Sequence, residues 1–128
     1  MSNQTPDLRP KTVQQAIEGM TLSLNPDEAK DLNATLQFHV SGEGSGDYYL
    51  SIADGKCDFS VGVVADPTLT IKTPADVWLK IARKEMNGAI ALMTSKYKAS
   101  GKMGLLMKMD KIFSRQATDV ELAEKGWL

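Results

Sequence analysis

The sequence predicts an α+β domain, a single five-stranded, mostly antiparallel sheet covered on one face by helices. Three observations predict it. Residues 32–40 alternate strictly, with Leu32, Ala34, Leu36, Phe38 and Val40 set against Asn33, Thr35, Gln37 and His39, the pattern of a strand with one buried face. Asp54-Gly55 stands between two further alternating runs, and a two-residue turn that matches strand twist wants positive φ at both positions. From Thr73 onward the apolar spacing changes to that of helices.

Taken in order, residues 10–20 read as a short helix, because Val13, Ala16, Ile17 and Met20 recur at i, i+3, i+4 and i+7 and Pro10 suits a first turn. Asn25-Pro26-Asp27 punctuates it, with a further helical turn over 26–30. The first strand follows from Leu32. SGEGSGD, residues 41–47, is a loop, and residues 48–53 form the second strand. After the Asp54-Gly55 turn a third strand covers 56–65, with Cys57, Phe59, Val61 and Val63 on one face. Asp66-Pro67 breaks it, and 68–72 is a fourth short strand, so that this half reads as an antiparallel meander plus one.

Thr73-Pro74-Ala75-Asp76 is a helix start, with a hydroxyl to cap, proline at the first helical position and an acid in the first turn. This helix is expected to reach Met86 and to end at Asn87-Gly88. A short helix over 89–94, a fifth strand over 96–100 and a long helix over 102–113 complete the pattern.

With 128 residues, 42% hydrophobic and 24% charged, the chain suits one domain with one core. The expectation is a single unit over 1–128, its core at about 12–113 and a helical tail at 114–128. No apolar run approaches the ~20 residues a membrane helix needs, and MSNQTPDLRPK lacks the greasy centre of a leader. The single cysteine, Cys57, forms no internal disulfide. Gly126-Trp127-Leu128 is not a peroxisomal tripeptide of the Ser-Lys-Leu kind. A cytoplasmic location is expected.

The formal net charge of −1 hides an asymmetry. Residues 1–79 are net −6, and the tail 116–128 is net −2. Residues 80–115 are net +7, with nine Lys and Arg against Glu85 and Asp110. Such a segment suits an anionic partner, phospholipid head groups or nucleic acid, although solvated helix faces account for it equally well. Nucleic acid ranks low, because Trp78 and Tyr97 are the segment's main aromatics and stacking platforms want more.

Two helices are apolar over too wide an arc. In the last long one, Met103, Leu105, Leu106, Met107, Met109, Ile112 and Phe113 cover roughly 220° of the circumference. In the one after Pro74, Val77, Trp78, Leu79, Ile81, Ala82 and Met86 span roughly 200°. A helix on a sheet needs a stripe little wider than ~100°. Packing against other helices, a dimer interface or an internal lipid cavity could each absorb the surplus. Five of the seven methionines fall between Met86 and Met109, and flexible thioethers suit both a ligand lining and an irregular core.

The stretches LNATLQFHVSGEGSGDYYLSIADGKC and ADPTLTI, and the run from Asn87-Gly88 through Met93 to GKMGLLMKM, resemble the sterol carrier protein 2 family in order and spacing. The match covers roughly residues 12–113, most specifically at Gly101, Met103-Gly104-Leu105 and Met107-Lys108, and is of the stand-alone prokaryotic type. The resemblance implies a five-stranded sheet covered by helices, with a hydrophobic tunnel between them for sterols, fatty acyl chains or similar lipids. Lys102 stands where members often carry an acid, which strengthens the basic patch. Ala99 stands where they often carry a larger aliphatic residue, which enlarges or reshapes the cavity.

On that basis the expected function is a non-enzymatic lipid carrier holding a fatty acid, acyl-CoA or sterol-like ligand and exchanging it with membranes. Its expected lining is Trp78, Ile81, Met93, Met103, Leu105, Leu106, Met109 and Ile112 from the helices, with Phe38 and Val61 from the sheet. Lys98, Lys102 and Lys108 are the expected contacts with head groups or an anionic membrane surface. A monomer or weak homodimer is expected, without a nucleic-acid partner. The alternative is an accessory or dimerisation module serving a lipid-metabolising enzyme.

Catalytic chemistry, metals and cofactors are not expected. His39 is the only histidine and falls on the face opposite Leu36 and Phe38, and with one cysteine it makes neither a zinc set nor a catalytic triad. Gly101-Lys102 lacks the earlier glycine and following hydroxyl of a phosphate loop, where Lys96 and Met103 stand. Gly42-Glu43-Gly44-Ser45-Gly46 joins two strands rather than opening a helix, and reads as a hairpin loop.

Overall fold

The computed structural model describes residues 9–127; the leader-free reading of residues 1–8, and Leu128, lie outside them. Helix α1 (Val13–Ser23) starts at Thr12, whose hydroxyl accepts the Gln15 N–H at 3.0 Å. This cap sets the helix three residues later than its spacing alone suggests. Asn25 caps the single turn α2 (Pro26–Ala29) through its side-chain oxygen.

Strands β1 (Ala34–Ser41), β2 (Gly46–Ala53) and β3 (Lys56–Val61) follow. Asp54 and Gly55 take φ of 54° and 72° between the paired residues Ala53 and Lys56, the tight hairpin their identities predict. Strand β4 (Leu69–Pro74) does not extend the meander. It pairs parallel to β1, and β5 (Lys98–Gly101) pairs antiparallel to β4, giving the order β3-β2-β1-β4-β5.

To reach β4 from β3 the chain must cross β2 and β1, and residues 62–68 do so on the side away from Leu36 and Phe38. Gln37 makes that crossing possible. Its side-chain Oε1 accepts the Val64 N–H at 2.8 Å, and its Nε2 donates to the carbonyls of Tyr48 and Gly62 at 3.0 Å each. Read from alternation Gln37 faces solvent, yet it is 1% exposed. The crossing segment covers it, and the amide satisfies backbone groups that would otherwise be buried without partners.

The opposite face of the sheet carries the core. Register places Leu36, Phe38, Leu50, Leu69 and Ile71 side by side, all fully buried. Helix α1 covers β2 and β3, while α3 (Ala75–Ala82) lies on β4 and against α1. Thr73 is a strand residue whose hydroxyl donates to the Pro74 carbonyl, so α3 has no side-chain cap. It ends four residues before Met86, with Lys84 at φ 64° and the Glu85 N–H returning to the Lys80 carbonyl at 2.8 Å, a C-terminal closure that stops a helix regardless of the apolar pattern beyond it.

Asn87 therefore opens an element instead of closing one. Its side chain accepts the Ile90 N–H at 3.0 Å and caps α4 (Gly88–Met93). The long helix expected over 102–113 is two short ones, α5 (Met103–Met107) and α6 (Met109–Ile112), parted at Lys108. Helix α7 (Asp119–Glu124) carries a full capping box between Thr118 and Glu121. Arg115 ties this tail to α1, donating to the Leu22 carbonyl at 2.8 Å and to both Glu121 oxygens. No helix among the described residues is long and apolar enough to cross a membrane.

Candidate functional site

Three aromatic rings mark the centre of the helix-covered face. Phe38 rises from β1, Trp78 stands edge-on to it from α3 with centroids 5.2 Å apart, and Tyr97 stands edge-on to Trp78 at 5.6 Å. Edge-to-face rings set the quadrupole of one against the rim of the next, which fixes their mutual angle beyond what burial alone would do. The Tyr97 hydroxyl donates to the Gly88 carbonyl at 3.2 Å, linking the cluster to the start of α4. Burial raises the Tyr97 pKa, and the Asp110 charge adds to the rise.

Leu105 of α5 and Ile112 of α6 complete the buried part of the same core, and Ile81, Leu106 and Met109 pack against it half-buried. Of the residues expected to line a lipid cavity, seven thus share one apolar cluster: Phe38, Trp78, Ile81, Leu105, Leu106, Met109 and Ile112. Leu92, Phe113 and Tyr97 belong with them and are not among the lining residues expected from sequence. For Tyr97 the signal was available, since it opens the methionine-rich stretch beside β5.

The other three stand apart from that cluster. Val61 has inward register, opposite Tyr48, but lies at the end of edge strand β3 and is 68% exposed. Met93, at the last residue of α4, is 83% exposed, and Met103, at the first residue of α5, is exposed as well. Helix ends project beyond the layer they begin or finish, which spacing along a helix does not register. Lys98, Lys102 and Lys108 are exposed, and none makes an ion pair with a described residue.

Two surface cavities are described, both open to solvent. One, of about 350 Å³, lies at the ends of β1, β4 and β5 and includes Tyr97; the other, of about 450 Å³, lies between α1, the β2–β3 turn and Arg115. The tunnel that the family resemblance implies is neither of these.

Little here suits bond-making chemistry. His39 Nδ1 and Asp47 Oδ1 lie 2.7 Å apart on the helix-free face. Cys57, the inward residue of β3, has its thiol pushed up to about 12 by burial and by the neighbouring Asp58 charge, which keeps it protonated and a poor nucleophile. Among the described residues no three His, Cys, Asp or Glu side chains gather in a metal-binding group.

Comparison with known proteins places these observations. Over 111 residues the chain is 29% identical to hydroxysteroid dehydrogenase-like protein 2 of Xenopus tropicalis, an alignment covering 80% of this chain and 25% of that protein. The chain thus spans about a quarter of the length of the curated relatives it matches. In structure it is similar to part of the sec-alkylsulfatase PisA1 of a Pseudomonas species (TM-score 0.71, 18% identity, 82% of this chain, 16% of that one). It is also similar to nearly all of the palmitated sterol carrier protein 2-like 2 of Aedes aegypti (TM-score 0.62, 20% identity, 83% of this chain, 95% of that one). The family model described as the SCP-2 sterol transfer family matches residues 13–114, from the first residue of α1 to just past α6, and the chain belongs to that family.

Proposed function

We propose that this domain holds one apolar ligand, a fatty acyl or sterol-like molecule, beneath its short helices and exchanges it with membranes. The observation that carries the reading is the unfinished closure of the helix layer. Helices α3 to α6 run for only four to eight residues each, and Ile81, Leu92, Leu106, Met109 and Phe113 remain partly exposed while packed on the core. Short helices joined by turns can part at those seams at lower cost than a single long helix could bend, since the lost contacts are few. Trp78, Leu105 and Ile112 are the buried side chains a chain entering there would meet first.

Magnitudes favour exchange over permanent capture. Moving a sixteen-carbon chain from water into an apolar site gains about 12 kcal/mol at ~0.8 per methylene, against an association cost of ~4–15 kcal/mol. Moving the same chain from a bilayer gains almost none of the first quantity. Loading from membranes is then near balance, and exposed Lys98, Lys102 and Lys108 would each add about 1 kcal/mol toward an anionic surface. Native mass spectrometry of the freshly purified protein tests the reading. Retained lipid, released on mild delipidation and taken up again from vesicles, supports it; a lipid-free protein that takes up none contradicts it.

A second reading has an observation of its own. The same domain makes up only 25% of the dehydrogenase-like relative and 16% of the sulfatase, so it also serves as a part of larger enzymes. Here it would act as a non-enzymatic docking or dimerisation module, with Met93, Met103 and Met107 as contact surface. A tight lipid-free dimer in sedimentation analysis favours that role over carriage.

A further inference from the structure

A second feature lies at the strand ends; it shares Lys98 with the proposed membrane contacts but does not require a lipid on the helix side. Cross-strand register sets three basic side chains in one row on the helix-free face: His39 of β1 opposite Lys72 of β4, and Lys72 opposite Lys98 of β5. Lys96 stands two residues before Lys98, on the turn that leads into β5. All four line the cavity of about 350 Å³, together with the hydroxyl-bearing residues Ser41, Thr73, Ser95 and Tyr97. That size falls within the ~300–1,000 Å³ typical of small-ligand pockets.

The row is unfavourable as it stands. Like charges directly opposite on adjacent strands destabilise a sheet, and Lys72 and Lys98 are such a pair. No carboxylate lines the cavity. Two acids act on lining residues from outside it: Asp47 lies 2.7 Å from the His39 ring, and the Asp110 charge acts on Tyr97. Lys72, Lys96 and Lys98 are exposed and make no ion pair with a described residue. Three lysines around one concavity, with the Ser41 and Ser95 hydroxyls on its wall, match a group carrying more than one negative charge and several acceptor oxygens; the Thr73 and Tyr97 hydroxyls already donate to the Pro74 and Gly88 carbonyls.

We propose that this pocket binds a phosphate or diphosphate group, with Lys72 and Lys98 as its principal ligands and Lys96 as a third. The group could belong to a soluble molecule or to a phospholipid head group, and the test separates the two. Melting of the protein is followed in inorganic pyrophosphate, in chloride of equal ionic strength, and with phosphatidylcholine vesicles lacking or containing phosphatidic acid, whose binding is read by sedimentation. The same measurements are made on Lys72→Gln/Lys98→Gln.

The expected result is a saturable rise in Tm with pyrophosphate beyond that in chloride, with the apparent affinity weakened at least about tenfold in the double variant, the loss of one or more charge-assisted contacts. Binding only to vesicles containing phosphatidic acid, lost in the double variant and already weakened in Lys72→Gln alone, which keeps Lys98, assigns the pocket to a head group. Without any anion the variant melts no lower than the parent, because a repulsive pair has gone. Equal Tm in pyrophosphate and chloride together with no phosphatidic acid dependence overturns the proposal, as does an effect that persists in the double variant at the parent's apparent affinity.

Discussion

Trp78 meets Phe38 edge-on at 5.2 Å, joining the middle of α3 to the middle of the sheet. Both side chains are buried, and Tyr97 also meets the indole edge-on, at 5.6 Å. Replacement Trp78→Ala removes the central ring of the three and leaves a void that its neighbours, fixed to strand and turn, fill poorly. The expected loss is about 3–5 kcal/mol. Leu105→Ala should cost about 2–5 kcal/mol by the same mechanism. Exposed Met93→Ala and Met107→Ala should each stay within about 0.5 kcal/mol of the parent. Urea denaturation of the four variants checks the division between the buried core residues and the exposed methionines.

Gln37 gives a different kind of dependence. Gln37→Met keeps the length and roughly the volume but leaves the Val64 N–H and Gly62 carbonyl without their side-chain partner. Each such group costs about 1–3 kcal/mol when fully buried, and both are only part-buried, so the lower part of the summed range, about 2–4 kcal/mol, is expected. Amide hydrogen exchange should show protection falling first at Val64, because the connection it anchors has few other ties.

These two sites show where the sequence was readable and where it was not. The alternation of β1 and the Asp54-Gly55 turn are local signals, written in side-chain period and backbone conformation, and the structure follows them. Gln37 fits the alternation as a solvent-facing residue; only the parallel pairing of β4 with β1, a long-range choice, sends a connection across it. The breaks at Lys84 and Lys108 are likewise invisible to periodicity, since both lysines lie on polar faces and the apolar spacing continues past them. The apolar cluster beneath the helices was legible in large part because Trp78, Leu105 and Ile112 sit mid-face. Val61, Met93 and Met103 fell outside it because an element's end outruns the layer covering it.

Gly101 has a φ of 109°, and a Cβ added there would come within 2.6 Å of the Thr68 carbonyl oxygen. Backbone cannot yield as a flexible side chain does, and the conformation itself disfavours any L side chain. Gly101→Ala should cost at least about 2 kcal/mol and displace β5 from β4. Thermal melting with the β4–β5 cross-strand amide contacts followed by NMR checks both effects.

Glu121 is held down to about 2 from an ordinary 4.5, chiefly by the Arg115 guanidinium and further by Thr118. A carboxylate whose folded pKa is lowered contributes stability that is complete above its unfolded pKa and is lost as pH falls through the folded one. Anchoring of α7 should therefore weaken between about pH 4.5 and pH 2. Glu121→Gln should weaken it at neutral pH and remove this site's share of the acid response. Exchange rates of the α7 amides as a function of pH measure it locally, where global unfolding would mask it.

The account rests on an apolar molecule reaching Trp78. Trp78 and Trp127 are the two tryptophans of the chain, so Trp127→Phe leaves Trp78 as the sole indole, and its emission can be followed during titration with palmitate kept below its aggregation concentration. The account predicts a saturable change in Trp78 emission that levels at one molecule per chain and reverses when anionic vesicles are added. Emission that stays constant across the titration, while equilibrium dialysis finds no palmitate retained, would contradict it.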